Sequence, residues 1–178
     1  MYNLHFEPRI SQTIKGIQVL PLTPSMLYLG YNTDYARAYY DEMLATAGFP
    51  LNTWKDIWLR YKALFDAPGA LNDFSAGGFI AEQGSSLAYS YHFINFFNAY
   101  GSVDTGFFSD GESFCVMNKS GQRNYIAFNN SADSYKTVVF KSFAGGALAG
   151  SMSVPPMTTA VTKDFVEFKY DSLRTMHS

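Results

Sequence analysis

The stretch "SSLAYSYHFINFFNAYG", residues 85–101, decides how the chain divides. Tyr89, His92, Phe93, Phe96, Phe97 and Tyr100 recur at the three- and four-residue spacing of one helical stripe, and Gly101 is a natural stop. His92 on that stripe reads as a hydrogen-bonded core histidine. Past Gly101 the period falls to two. "SFCVMNK", the pair Ser120-Gly121 and "QRNYIAFN" read as a β-hairpin with a short glycine-containing loop. "SYKTVVFKS" follows the polar turn "NNSAD" as another strand, and "LAGSMSV", "MTTAVT" and "DFVEFKY" supply more, with Pro155-Pro156 confined to a connection.

Upstream of residue 85 the helical period holds. Thr33 or Asp34 can cap a helix through "YARAYYDEMLATA" that stops at Gly48. Asn52 or Thr53 can cap a second, in which Trp54, Ile57, Trp58, Tyr61 and Leu64 share a face. Pro68 opens a shorter helix, with Asp66 as its cap. Helices first and strands afterwards is α+β segregation, with the junction in "GSVDTGFFSDGE", residues 101–112. The N-terminal "GIQVLPLTPSMLYLG", residues 16–30, is different: it is almost wholly apolar, yet Pro21 and Pro24 forbid a continuous helix through it. An irregular segment this hydrophobic must be held by something larger.

Composition narrows the function. The 178 residues carry a net charge of −2 and no basic run, which argues against nucleic acid and against an anionic membrane surface. The longest apolar run falls short of the roughly 18 residues of a membrane span. The single cysteine, Cys115, lies in an alternating run and reads as a packed core thiol; His5, His92 and His177 are far apart, and no HExxH or CxxC pattern occurs, so neither a metal nor another cofactor is expected. No GxSxG elbow is present for a serine hydrolase. Aromatics reach 17%, which serves either a large core or sugar-stacking surfaces. The N-terminus lacks the charged and apolar regions of a signal peptide and reads as the start of a truncated chain.

Four motifs in order, "GIQVLPLTPSMLYLG", "WKDIWLRYKALFDAPGAL", "YSYHFINFFNAYGSVDTG" and "VMNKSGQRNYIAFNNS", closely resemble the C-terminal part of glycoside hydrolase family 81, the endo-β-1,3-glucanases. The resemblance runs from about Lys15 to Phe140 and more weakly to Tyr170. It implies C-terminal helices of a partial (α/α) barrel over residues 1–101, followed by an antiparallel β-sandwich-like region over 102–178. It also implies a β-1,3-glucan substrate, an extracellular setting, and an upstream part of the same enzyme as partner. The family's acid and base motifs lie upstream of the segment like Gly16–Gly30, so no catalytic residue carries over. The irregular apolar segment is expected near the substrate cleft, with Gln18 and Thr23 offering hydrogen bonds and Tyr28 an apolar ring face. Many members have His where this chain has Lys15.

A non-catalytic carbohydrate-binding or scaffolding module is the competing reading. The two differ in where aromatics point. A glucanase segment would line a cleft with Tyr28, Tyr31, Tyr35, Tyr39, Tyr40, Trp54 and Trp58, and would leave Trp54, Trp58, Phe93 and Phe97 partly uncovered. A binding module would present coplanar exposed rings on its strands. The acidic residues read as helix-turn, polar-face or loop residues, Asp34, Asp41, Glu42 and Asp56 among the former, and Asp104 as a loop-tying acceptor.

Overall fold

A computed structural model of the chain describes residues 30–45, 52 and 54–165. The architecture is α+β, in two compact units that meet between Val103 and Asp104. The first contains α1 (Thr33–Ala45), α2 (Lys55–Ala63), α3 (Ala67–Ala76), α4 (Ser86–Tyr100) and the two-residue strand β1 (Ser102–Val103). The second contains β2 (Phe107–Ser109), β3 (Phe114–Lys119), β4 (Gln122–Asn129), β5 (Lys136–Ser142), β6 (Leu148–Val154) and β7 (Thr158–Lys163).

In the helical unit, two expected caps change. α1 is capped by Asn32, whose Oδ1 accepts from the Tyr35 amide at 3.0 Å. Thr33 and Asp34 are already helical, and a cap must stand outside the helix to reach back to its free amides. α2 starts from Trp54, which makes no side-chain cap bond, and Asn52 engages through its main-chain carbonyl instead. Thr53 and Gly48 lie outside the described residues. The short helix behaves as expected: the Asp66 carboxylate accepts from the Gly69 amide at 3.0 Å, and Pro68 occupies the first turn, where its missing N–H costs nothing.

α2 packs against α1, α3 and α4, so it is buried on most of its circumference rather than along one stripe. Ile57, Trp58, Tyr61 and Leu64 are buried as the periodicity predicts, and Leu59 and Ala63 are buried as well. On α1, Tyr40 joins this core with its ring 6.3 Å from Trp58 and 5.6 Å from Phe65. Arg37 lies over the other side of that cluster, its guanidinium 4.7 Å from the Phe65 ring and bonded to the Phe65 carbonyl. The buried stripe of α4 is Ser86, Ser90, Phe93, Ile94 and Phe97. Tyr89 and His92 lie off that stripe, rotated about one residue from the expected face, and both are exposed.

The β unit has two antiparallel sheets with one shared core. β4 lies between β3 and β7, while β5 lies between β2 and β6. The β3–β4 hairpin turns at Ser120 and Gly121, both at positive φ (53° and 89°), the pattern of a type I′ turn whose twist matches the strands. Val116, Tyr125 and Ala127 from one sheet meet Val138, Phe140 and Val154 from the other. The Tyr125 ring sits 5.7 Å from Phe107, 5.2 Å from Phe140 and 4.5 Å from Phe165. β2 arises inside the stretch taken as a junction, and only Asp164 and Phe165 of "DFVEFKY" lie among the described residues.

Gly150 faces Phe140 across β5 and β6, and a Cβ at this position would land on the Phe165 ring. Gly150→Ala should therefore expel that ring from the core and destabilise the β unit by about 1–3 kcal/mol, the usual cost of overpacking. Urea unfolding followed by tyrosine fluorescence checks it, and an unchanged midpoint would show that Phe165 yields freely.

Candidate functional site

The polar centre of the helical unit is Asp56, in the first turn of α2. Sequence placed it on a polar helix face; the structure buries it completely, at 0% exposure. Its Oδ1 accepts from the Glu82 amide at 3.0 Å, and its Oδ2 accepts from the Ser86 hydroxyl at 2.5 Å and the Ser90 hydroxyl at 3.3 Å. Arg60, one turn along, comes within 4.0 Å of the same carboxylate and donates to Ser86 Oγ at 3.0 Å. Burial pushes the guanidinium down from its ordinary pKa while Asp56 opposes the shift, and an arginine this placed keeps its charge. The Tyr89 ring lies 5.6 Å from the guanidinium carbon, adding a cation–π contact.

This network was missed in the sequence, although a signal existed. Asp56 and Arg60 stand at i and i+4, enclosing the apolar Ile57, Trp58 and Leu59, and Ser86 and Ser90 stand at i and i+4 in line with Phe93 and Phe97. Four polar residues at matching helical spacing on two apolar stripes indicate a buried polar joint. Its carboxylate is fully buried and takes three hydrogen bonds from within the helical unit, so its role is to hold structure together.

Above this joint, a corner of the surface is shaped by Trp54 and the loop between α3 and α4. The Trp54 amide donates to the Ile80 carbonyl at 2.7 Å, and the Ile80 amide donates to the Asn52 carbonyl at 2.9 Å. Trp54 itself sits at φ 54° and ψ 33°, the left-handed region. Gly77, Gly78 and Gly84 take positive φ in the facing loop.

The seven aromatics expected to line a cleft separate. Tyr28 lies outside the described residues, as do Gln18, Thr23 and Lys15. Tyr40 and Trp58 are core, Tyr35 and Tyr39 are half-buried and stacked at 6.2 Å, and Tyr31 and Trp54 are exposed. Of the four rings expected to be partly uncovered, Trp58, Phe93 and Phe97 are buried because α2, α3 and α4 cover one another; Trp54 alone is exposed. In the β unit, Phe114 on β3 and Phe128 on β4 are exposed, as are Tyr135 and Phe143 just outside the two ends of β5. Phe143 packs on Phe108 at an interplanar angle of 36° and Phe114 meets Phe140 edge-on, short of the coplanar platform of a binding module.

Other candidate groups have structural partners. His92 is exposed and meets the Tyr91 ring edge-on, which corrects its reading as a core histidine. Asp104 ties its loop as expected: Oδ1 accepts from the Gly106 amide, and Oδ2 accepts from Arg123 Nε at 2.9 Å. The hydrogen bond to Asp104 raises the Arg123 pKa, and the guanidinium covers the Phe107 ring at 4.7 Å. Burial pushes the Tyr40 phenol up to about 12. It also pushes the Cys115 thiol up to about 11, which leaves little thiolate for nucleophilic chemistry. Among the described residues no three His, Cys, Asp or Glu side chains are grouped to hold a metal ion, and no described helix is long and apolar enough to cross a membrane.

No family model matches the chain. It is 35% identical over 149 residues, 83% of its length, to a glucan endo-1,3-beta-D-glucosidase of Acetivibrio thermocellus. It is 31% identical over 147 residues, 82% of its length, to a protein of the same name from Thermobifida fusca. A solved glycoside hydrolase family 81 structure from Clostridium thermocellum superposes with a TM-score of 0.69 and 34% identity over 82% of the chain. The chain spans only 18% of the length of each curated relative and 19% of the solved one.

Two outcomes follow from this chemistry. Asp56→Ala should cost about 3–5 kcal/mol in urea unfolding, because it strands the buried Arg60 charge. A loss below 1 kcal/mol would show that water reaches the guanidinium. Cys115 should react with iodoacetamide at pH 8 at least ~100-fold more slowly than a free cysteine, read by intact mass; labelling at the free-thiol rate would contradict its burial.

Proposed function

We propose, from this likeness to glycoside hydrolase family 81, that the chain is a segment of an endo-1,3-β-glucanase acting on β-1,3-glucan. The observation that carries the reading is the agreement of sequence and fold: about a third of the residues are identical to the solved family 81 structure over the same four-fifths of the chain that superposes on it. In this reading the helical unit is the C-terminal part of an (α/α) barrel, the β unit is the strand region that follows it in the chain, and the enzyme works outside the cell. The segment containing Gln18, Thr23 and Tyr28 contributes to glucan contact.

The family's inverting chemistry needs two carboxyl groups about 6.5–9.5 Å apart, one to protonate the leaving oxygen and one to activate water. The best-placed carboxylates here are otherwise employed. Asp56 is buried and held by amide and hydroxyl donors, Asp66 caps α3, Asp104 holds Arg123, Asp110 accepts from the Val139 amide, and Glu112 pairs with Lys136. The acid and base therefore belong, in this proposal, to the part of the enzyme outside these residues, and this segment supplies shape and binding surface.

The chain by itself should release no reducing ends from laminarin above a buffer blank. Turnover that survives purification, and disappears when a carboxylate within residues 1–178 is replaced, would place the active site inside the chain and overturn this division of labour.

A further inference from the structure

The two tryptophans of the chain are used in opposite ways. Trp58 is 4% exposed and belongs to the core, while Trp54, one turn earlier, is 39% exposed. Trp54 lies outside the buried core, and its backbone is costly. A bulky L-residue at φ 54° and ψ 33° pays roughly 1–2 kcal/mol against the right-handed region. Glycine would occupy that position without the penalty. The strained conformation is nevertheless enforced from both sides. The backbone pairing of Trp54 and Asn52 with Ile80 fixes it from above, and Asp56, two residues on, anchors the same turn to the Glu82 amide and to Ser86 and Ser90.

The surroundings suit a flat, hydroxyl-rich ligand. Ile80 is 66% exposed, and Tyr89, whose ring lies over Arg60, is 38% exposed. Gln83 and Ser85, in the same loop, are exposed polar residues with hydrogen-bonding groups, and Glu82 is half-buried. A pyranose offers apolar C–H faces to an indole and equatorial hydroxyls to such neighbours. The pattern is a partly exposed indole on a strained, fixed backbone, paired with a loop that carries exposed polar residues.

We propose that Trp54, presented by the α3–α4 loop, is a sugar-stacking platform that binds a glucosyl unit of the β-1,3-glucan chain. The proposal rests on the glucan reading above and deepens it by naming a binding residue that sits well away in sequence from Gln18, Thr23 and Tyr28. Trp54 is a binding residue, and no part in bond cleavage is assigned to it.

The test is a pair of readouts on the 178-residue chain titrated with laminarihexaose. Intrinsic tryptophan emission should shift saturably, because the exposed indole reports while buried Trp58 stays silent. Calorimetry gives the affinity independently of fluorescence. Trp54→Gly should weaken binding by at least ~10-fold, as truncating an aromatic anchor does, while melting at the same or a higher temperature because the backbone strain is relieved. Trp54→Phe should recover part of the affinity. Binding by Trp54→Gly equal to that of the unaltered chain would overturn the platform and leave the glucan reading standing. No binding of laminarihexaose by the unaltered chain would count against both. Loss of thermal stability in Trp54→Gly would overturn the proposal in favour of a packing role, and a concentration-dependent mass that the substitution abolishes would overturn it in favour of a protein interface.

Discussion

The helical unit depends on placing one carboxylate where water does not reach. A buried, unpaired carboxylate would cost many kilocalories per mole, so Asp56 obliges its neighbours to arrange donors around it. Those donors come from three places: the Glu82 amide in a loop, two serine hydroxyls on α4, and Arg60 one turn along α2. Apolar packing alone would let α2 and α4 slide or rotate against each other, because one hydrophobic side chain can replace another at small cost. The hydrogen bonds of Asp56 are directional and tolerate no such slip. They set the rotation of α4, turning Ser86 and Ser90 inward and therefore Tyr89 and His92 outward.

The β unit meets the same requirement with a neutral group. Asn129, at the end of β4, is fully buried; its Nδ2 donates to the Ser134 carbonyl at 2.7 Å and to the Val154 carbonyl at 3.0 Å, while its Oδ1 accepts from the Ser131 amide. One side chain thus organises the turn that leaves the first sheet and ties it to the last residue of β6 in the second. At the other end, Asp104 and Arg123 bridge the first loop to β4, and Arg123 shields the Phe107 ring. Between these two ties, the Tyr125, Phe140 and Phe165 rings fill the space at tilted and edge-on angles favoured by their quadrupoles.

What was legible in the sequence was whatever follows from a local rule. The change of period at Gly101, the Ser120-Gly121 turn and the Asp66 cap all concern residues within a few positions of one another, and the structure bears each out. The errors have a common cause. The aromatic spacing puts Tyr89 and His92 on one stripe with Phe93 and Phe97 and reads His92 as core, whereas the buried face of α4 takes Ser86 and Ser90, which reach Asp56, along with Phe93, Ile94 and Phe97. Trp54 was grouped with Trp58 by spacing alone, although the chain takes a left-handed step between Asn52 and α2 that breaks the helical phase. β2 was passed over because a three-residue strand carries too short a pattern to show alternation. The family resemblance was legible for another reason, since four ordered motifs preserve information that no single helix or strand rule holds.

The same distinction separates the scaffold of this chain from its surface. Buried groups with several hydrogen-bond partners, such as Asp56 and Asn129, are committed to geometry and have little capacity left for a ligand. Groups able to meet a ligand are those the scaffold presents but does not consume. Trp54 is such a group: its backbone is held by Ile80, its turn is anchored through Asp56, and it stays partly exposed. A flexible surface indole would lose rotational freedom on meeting a sugar, whereas one on a fixed backbone has part of that ordering already made when the fold forms. The buried carboxylate and the exposed indole are in this sense one device, with the interior polar joint supplying the rigidity that a weak stacking contact needs.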